Sequence, residues 1–320
     1  MQKIRTDWTI EEIGALYHKP LMEVISEANA IHGLCHNRLE VQVCTLISIK
    51  TGGCPEDCKY CAQSSRYQTS ISASPLMKHE EVMQIAKEAV EKGCTRICLG
   101  AAWREVRDSE QFERVLSMVE GICSMGVEVC CTLGMLKEHQ AQRLKKAGLY
   151  AYNHNLDTSA KHYPKVISTR IFSDRLKTLD LVEEAGLSVC CGGILGLGEE
   201  TQDRIALLHT LATRDPHPES VPVNILSPIP GTPFEGQPQV SIWEMLRFIA
   251  TARVLMPKAM IRLSAGRLQM LLEQQSLCFL AGANSIFSGE KLLTVDNPGF
   301  DADSEMFELF GLKKRAPYAC

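Results

Sequence analysis

Glu110-Gln111-Phe112-Glu113-Arg114-Val115-Leu116-Ser117-Met118-Val119-Glu120-Gly121-Ile122-Cys123-Ser124-Met125-Gly126-Val127-Glu128-Val129-Cys130-Cys131-Thr132-Leu133 contains one complete unit of the fold. An amphipathic stretch over 110–125 predicts a helix, and the β-branched run over 127–133 predicts a strand. Gly126 between them fits the C′ position, where glycine takes a left-handed conformation without steric cost. Gly93, Gly148 and Gly186 stand in the same relation to their neighbours. Strands are expected near 44–51, 95–101, 127–133, 151–157, 188–194, 220–227, 259–265 and 283–288. Helices are expected near 79–92, 110–125, 138–147, 169–185, 201–214, 241–256 and 267–281. Eight strands alternating with helices predict an α/β fold, a (β/α)8 TIM-type barrel in preference to an open doubly wound sheet.

Outward from that rhythm, the chain divides into an N-terminal helical extension over 1–43, the barrel over 44–295 and a C-terminal tail over 296–320. The extension reads as helix from Thr9 to Gly14 and from Leu21 to His32, and is expected to cover one end of the barrel. The tail carries Phe307-Glu308-Leu309-Phe310, which suggests a short helix packing on the barrel. A formal charge of −4 gives no reason to expect a nucleic-acid partner. No stretch approaches the roughly 18 apolar residues of a membrane span. The start, Met1 to Trp8, lacks the apolar core of a secretory signal, so a cytoplasmic location is expected.

Against that background fourteen cysteines stand out. In a large cytosolic chain they point to metal binding or catalysis and not to disulfides. Cys35, Cys94, Cys123, Cys278 and Cys320 are assigned to packing or incidental surface thiols, since free cysteine packs like a small apolar side chain. Cys54-Pro55-Glu56-Asp57-Cys58-Lys59-Tyr60-Cys61 follows the first strand and has the spacing C-x3-C-x2-C. Three thiolates in eight residues can wrap one small cluster but leave one of its irons open. The alternative is a zinc site with a distant fourth ligand. The spacing is that of the radical S-adenosylmethionine superfamily. That resemblance implies a [4Fe–4S] cluster held by Cys54, Cys58 and Cys61, and places Tyr60 near the adenine of S-adenosylmethionine.

Strand parity supplies a second set. In a barrel, alternate residues face the lumen, and helix-facing positions should be apolar. Ile97 and Leu99 then put Arg96 and Cys98 inward. Val127, Val129 and Leu133 put Cys130 inward with Glu128 and Thr132, and Cys131 outward. Val189 puts Cys190 inward and Cys191 outward, while Ile261 and Leu263 put Arg262 and Ser264 inward. Two buried guanidinium groups need anions, which a thiolate-bound cluster would supply. Ordinary buried cysteines, with the arginines paired to Glu128 or another carboxylate, would satisfy the same pattern. Parity also turns Asn153, Asn155, Asp157 and Asn224 inward. Amides suit a neutral ligand with N–H and C=O groups, or each other. His154 falls on the packing side.

Ser48 to Cys61, Cys98 to Trp103, Tyr152 to Thr158, Val221 to Asn224 and Arg262 to Arg267, taken in order, resemble the biotin synthase family over roughly residues 40 to 300. The resemblance implies that Cys98, Cys130, Cys190 and Arg262 hold a [2Fe–2S] cluster. It implies that Asn153, Asn155 and Asn224 surround dethiobiotin, and that Asn155, Asp157 and Arg175 line S-adenosylmethionine. The implied reaction is radical insertion of sulfur into dethiobiotin, with an electron-donor protein of flavodoxin or ferredoxin type and a homodimer as partners. Cys44 departs from the family pattern, where a serine is expected, and so do the doubled pairs Cys130-Cys131 and Cys190-Cys191. Other radical S-adenosylmethionine enzymes, of lipoyl-synthase or methylornithine-synthase type, are the alternatives, followed by an iron–sulfur scaffold or sensor. A lipoyl synthase would need a further N-terminal cysteine cluster, and only Cys35 and Cys44 precede the loop.

Overall fold

In the computed structural model, which describes residues 4–318, the strand–helix rhythm closes on itself. β1 (Glu40–Lys50), β2 (Arg96–Ala101), β3 (Glu128–Thr132), β4 (Ala151–Asn153), β5 (Ser188–Cys190), β6 (Gly193–Leu195), β7 (Ser220–Ile225), β8 (Met260–Leu263) and β9 (Ser285–Phe287) lie in one parallel sheet. β9 pairs back onto β1, with Gln42 opposite Ser285 and Cys44 opposite Phe287. β5 and β6 both pair with β7 and occupy one stave, which gives a closed barrel of eight staves. That stave breaks at Gly192, where a Cβ would lie 2.0 Å from the carbonyl oxygen of Pro222. Only glycine lets the backbones approach so closely.

Several elements differ from the expected bounds. β1 begins at Glu40, four residues before the expected start, and its first residues pair with Lys313 and Lys314 of the tail. The strand expected over 151–157 ends at Asn153, after which the chain leaves the sheet and Asp157 takes a left-handed φ of 66°. The helix expected over 169–185 begins later, as Phe172–Glu184, and a short helix that was not expected, Tyr163–Val166, precedes it. The one expected over 267–281 is a 3-10 turn, Arg267–Gln269, followed by Leu272–Leu280.

The N-terminal helices are Ile10–Tyr17 and Leu21–Cys35. Thr9 and Glu12 form a capping box that starts the first. Tyr17 donates its hydroxyl to Glu244, and His36 meets the Pro257 carbonyl at 3.1 Å. Those contacts mark the two ends of the helix Ile242–Leu255. The extension therefore runs along the outer helix layer and does not cover an end. The tail helix, Phe300–Phe310, buries Met306 and Phe307.

Strand parity separates two cores. Ile97, Leu99, Val129, Cys131, Val189, Cys191, Ile261 and Leu263 pack with the helices in the main hydrophobic core. Cys44, Cys98, Cys130, Ala151 and Cys190 form a separate cluster inside the barrel. Of the remaining thiols, Cys94 and Cys278 are buried, Cys123 is half-buried and Cys35 is exposed. Cys320 lies outside the described residues.

His32 is fully buried under the extension, and neither ring nitrogen has a hydrogen-bond partner among the described residues. Burial, reinforced by the Arg253 cation, pushes its pKa down to about 3. Burial likewise lowers His36 to about 4. As pH falls below the ordinary value of 6.5, the unfolded chain takes up protons that the folded chain refuses. This contribution is complete above that value and shrinks toward the folded pKa values. His32 alone should cost about 2 kcal/mol of stability at pH 5 relative to pH 7. Thermal unfolding of His32→Leu should show a flatter pH dependence between 7 and 5 than the parent chain; parallel curves would refute the assignment.

Candidate active site in the barrel lumen

The loop after β1 and the inward faces of the strands enclose a cavity of about 300 Å³. Cys54, Cys58, Cys61 and Tyr60 line it from the loop, and Cys98, Cys130, Cys190 and Arg262 from the strands. Asn153, Asn155, Asp157, Arg175 and Asn224 also border it. The sequence-predicted residues therefore meet in one space, of a size that takes small ligands.

The loop is fixed by its own backbone and by its neighbours. The Cys54 amide donates to the Gln63 carbonyl at 2.9 Å, and the Cys61 amide to the Cys58 carbonyl at 2.9 Å. Lys59 donates to Val166, and Phe234 donates to Lys59. The Asp57 carboxylate accepts backbone N–H groups of Ser168 and Thr169. Partial burial opposes its ionisation, but these bonds outweigh it and hold its pKa at about 2. Glu56 is buried and accepts from Arg104 at 2.7 Å. Burial pushes the Cys58 thiol up to about 12 and the Cys61 thiol to about 11, and raises Cys54 as well. Thiolates form here when bound metal replaces the protons, so loading releases protons.

Beside the loop, Tyr60 donates its hydroxyl to Asp157 Oδ2 at 3.0 Å, and Arg175 donates to the same oxygen at 2.6 Å. Arg175 also donates to the Tyr163 hydroxyl. Asp157 is thus locked by two donors and by its left-handed backbone, a conformation that costs energy and concentrates at functional sites. Asn153 donates to Asn155 Oδ1 at 3.1 Å and to Cys190 Sγ at 3.3 Å. Asn155 Oδ1 also accepts the Gly192 amide, and neither bond uses its Nδ2. Asn224 spans Gly193 and Ala265. The amides do pair with one another and with backbone, and they do so on the cavity wall.

Arg170 is a residue that sequence reasoning missed. Its side chain is 7% exposed and borders the cavity, with Glu56 Oε2 at 3.7 Å. Its Nε and Nη1 have no hydrogen-bond partner among the described residues. A buried guanidinium with unused donors calls for an anionic acceptor in the cavity. His154 is buried beside it, and burial together with Arg175 and Arg170 pushes its pKa well down, so its ring is neutral.

At the inner end the two lumen arginines differ. Arg96 is neutralised within the protein: it donates to Glu128 at 2.6 Å and to both oxygens of Glu219. Arg262 is equally buried, but its bonds go to Ser285 Oγ, Gln42 Oε1 and Cys190 Sγ. Among the described residues it has no carboxylate partner. An uncompensated buried cation facing three thiols fits an anionic thiolate cluster. Among the described residues no three cysteine, histidine or carboxylate groups converge to hold a single metal ion. A cluster spreads its thiolates over several irons and suits thiols ranged around a cavity.

Comparison with known proteins agrees with this geometry. The Radical SAM superfamily profile matches residues 48–212, and that of the Biotin and Thiamin Synthesis associated domain matches residues 222–313. The chain is 59% identical to biotin synthase of Cytophaga hutchinsonii, over 99% of this chain and 94% of the relative. It is 56% identical to mitochondrial biotin synthase of Arabidopsis thaliana, over 98% of this chain and 83% of the relative. In fold it is similar to methylornithine synthase, with a TM-score of 0.81 at 20% identity, covering 96% of this chain and 94% of that one. It is similar in fold to the [FeFe]-hydrogenase maturase HydG, with a TM-score of 0.83 at 17% identity, covering 98% and 73%.

Proposed function

The chain belongs to the biotin synthase family of radical S-adenosylmethionine enzymes, and from that premise we propose how its residues divide the work. It is an enzyme that inserts sulfur into dethiobiotin to form biotin. Its cofactors supply the chemistry when bound: S-adenosylmethionine on a [4Fe–4S] cluster provides a hydrogen-abstracting radical, and a [2Fe–2S] cluster provides the sulfur. Cys54, Cys58 and Cys61 hold the first cluster. Cys98, Cys130 and Cys190 hold the second, with Arg262 in the fourth place on the family's pattern. Tyr60, Asn155, Asp157 and Arg175 hold S-adenosylmethionine, with Arg175 and Tyr60 fixing the Asp157 carboxylate from two sides. Asn153, Asn155 and Asn224 offer N–H and C=O groups to the neutral, polar end of dethiobiotin.

The observation that carries this reading is that both thiol sets and the amides line one cavity. A substrate held in that cavity would lie within reach of what each thiol set would hold, a radical source at the loop and a sulfur source at the strands. Apolar side chains such as Leu46, Ile194 and Ile225 line the same space and exclude water. We also propose a cytoplasmic homodimer served by a flavodoxin- or ferredoxin-type electron donor. Among the described residues no helix is long and apolar enough to cross a membrane. Anaerobically reconstituted protein given dethiobiotin, S-adenosylmethionine and reductant should form biotin and 5′-deoxyadenosine. Deoxyadenosine formation indifferent to dethiobiotin, with no biotin, would remove the substrate assignment and leave the superfamily standing.

A further inference from the structure

Arg170 carries buried donors that the division of work above does not use. It follows Ser168 and Thr169, and those two residues are stitched to the cysteine loop. Both donate backbone N–H groups to Asp57, and the Thr169 hydroxyl donates to Glu56. Arg104 Nη1 ties the two segments together, donating to Glu56 Oε1 and to the Thr169 carbonyl, each at 2.7 Å. Glu56 and Asp57 lie between Cys54 and Cys58 in the chain. The Arg170 side chain is therefore held against the loop that carries the three thiols, with Nε 3.7 Å from Glu56 Oε2. Burial raises the Cys54 and Cys58 thiols, and the Arg170 cation opposes it at both, joined by Arg175 at Cys58.

Three arginines among the described residues border the cavity, and they differ in what occupies their donors. Arg175 is paired with Asp157 at 2.6 Å. Arg262, at the strand end, donates to Ser285, Cys190 and Gln42. Arg170 stands at the loop end, and its carboxylate neighbour is already engaged: Glu56 accepts from Arg104 at one oxygen and from the Thr169 hydroxyl at the other. Nε and Nη1 of Arg170 are left with no acceptor among the described residues, and at 7% exposure water does not serve them. A buried cation with unspent donors is unfavourable until an anion arrives. Two anions would come with the loaded cavity, the thiolate-ligated cluster and the carboxylate of S-adenosylmethionine. The cluster is favoured, because Arg170 is anchored to the residues between two of its ligands and its charge acts on those thiols.

We propose that the free N–H groups of Arg170 donate to the sulfurs of the [4Fe–4S] cluster held by Cys54, Cys58 and Cys61, and that its charge holds that cluster's reduction potential up. This rests on the reading of the loop as the seat of that cluster. Reduction adds one negative charge to the cluster, and a neighbouring cation with hydrogen bonds to the sulfurs stabilises the more negative state.

The test uses the full chain, reconstituted anaerobically with iron and sulfide in the absence of S-adenosylmethionine. The midpoint potential of the [4Fe–4S] centre is read from a redox titration followed by electron paramagnetic resonance. Arg170→Met should shift the reduction equilibrium at least tenfold toward the oxidised cluster, about 59 mV lower for a one-electron couple. Arg170→Lys keeps the charge but loses the paired donors, and should fall between that variant and the parent chain. Metal-free Arg170→Met should unfold at a thermal midpoint no lower than the metal-free parent's, because what it removes is an unsatisfied buried cation. An unchanged potential in Arg170→Met would overturn the proposal. Tenfold weaker S-adenosylmethionine binding at that unchanged potential, by equilibrium dialysis, would give the donors to the ligand's carboxylate instead. A lowered metal-free midpoint at that unchanged potential would make Arg170 a structural prop of the loop. If Arg170→Met took up no cluster, a parent potential in Arg170→Lys would likewise overturn the proposal. Retention of the [4Fe–4S] centre in Cys58→Ala would instead sink the underlying reading of the loop.

Discussion

Cys58→Ala should form no stable [4Fe–4S] cluster and should cleave no S-adenosylmethionine, with deoxyadenosine falling below detection. Cys58 is the most buried of the three loop thiols, 6% exposed, while Cys54 and Cys61 are half-buried. With two thiolates left, the loop cannot hold three irons and keep the fourth open for S-adenosylmethionine. The loop itself should survive the change. Its position depends on Asp57 with Ser168 and Thr169, on Glu56 with Arg104, and on the backbone bonds of Cys54 and Lys59. None of these uses the Cys58 sulfur. The thermal midpoint of the metal-free protein should therefore stay close to that of the parent chain. Iron and sulfide analysis, absorption spectra and a deoxyadenosine assay on the reconstituted variant decide the matter. Full cleavage activity would show that the radical is generated elsewhere.

Much of this site could be read from the sequence because its signals are local. The cysteine spacing lies within eight residues, and strand parity needs only a few alternating positions. Val127 and Val129 were enough to send Cys130 inward and Cys131 outward, as the two cores show. The pairing of Arg96 with Glu128 was legible as well, since both share the inward parity. Its second partner, Glu219, lies just before β7 and has no such signal. Long-range packing stayed hidden. Gln42 is a fully buried amide that donates to Glu128 and accepts from Arg262. Judged by polarity it belongs before the strand, so β1 was expected to start too late. The extension shows which of its faces is apolar, but not that the face rests on the helix Ile242–Leu255. Arg170 sits in a loop that periodicity assigned to a helix. Its functional mark is two unbonded nitrogens, visible only when every neighbour is in place. The break at Gly192 depends on the approach of Pro222, thirty residues away.

The doubled cysteines test the register of the whole lumen. Adjacent strand residues face opposite sides of a sheet, so one member of each pair can reach the cavity. Cys130 and Cys190 border it, whereas Cys131 and Cys191 are buried among helix-facing apolar side chains. Cys130 pairs across the sheet with Cys98, and Cys131 with Leu99, so the two faces stay in step between β2 and β3. Burial raises both outward thiols well above the usual range, so they stay protonated and unreactive. The neighbouring Cys130 thiol and the Arg262 cation hold Cys190 below the usual thiol range, despite its burial. Cys130→Ala and Cys190→Ala should therefore lose the [2Fe–2S] absorbance and all biotin formation while the [4Fe–4S] cluster remains. Cys131→Ala and Cys191→Ala should keep both clusters and biotin formation, each costing about 1 kcal/mol for one deleted buried sulfur. Denaturant unfolding separates that packing cost from loss of the cluster. If Cys131→Ala or Cys191→Ala lost the second cluster and the inward pair proved dispensable, the register of these strands would be shifted by one residue. A one-residue shift reverses every inward assignment on the strand it affects, so Glu128 and Thr132 would have to be reassigned with Cys130.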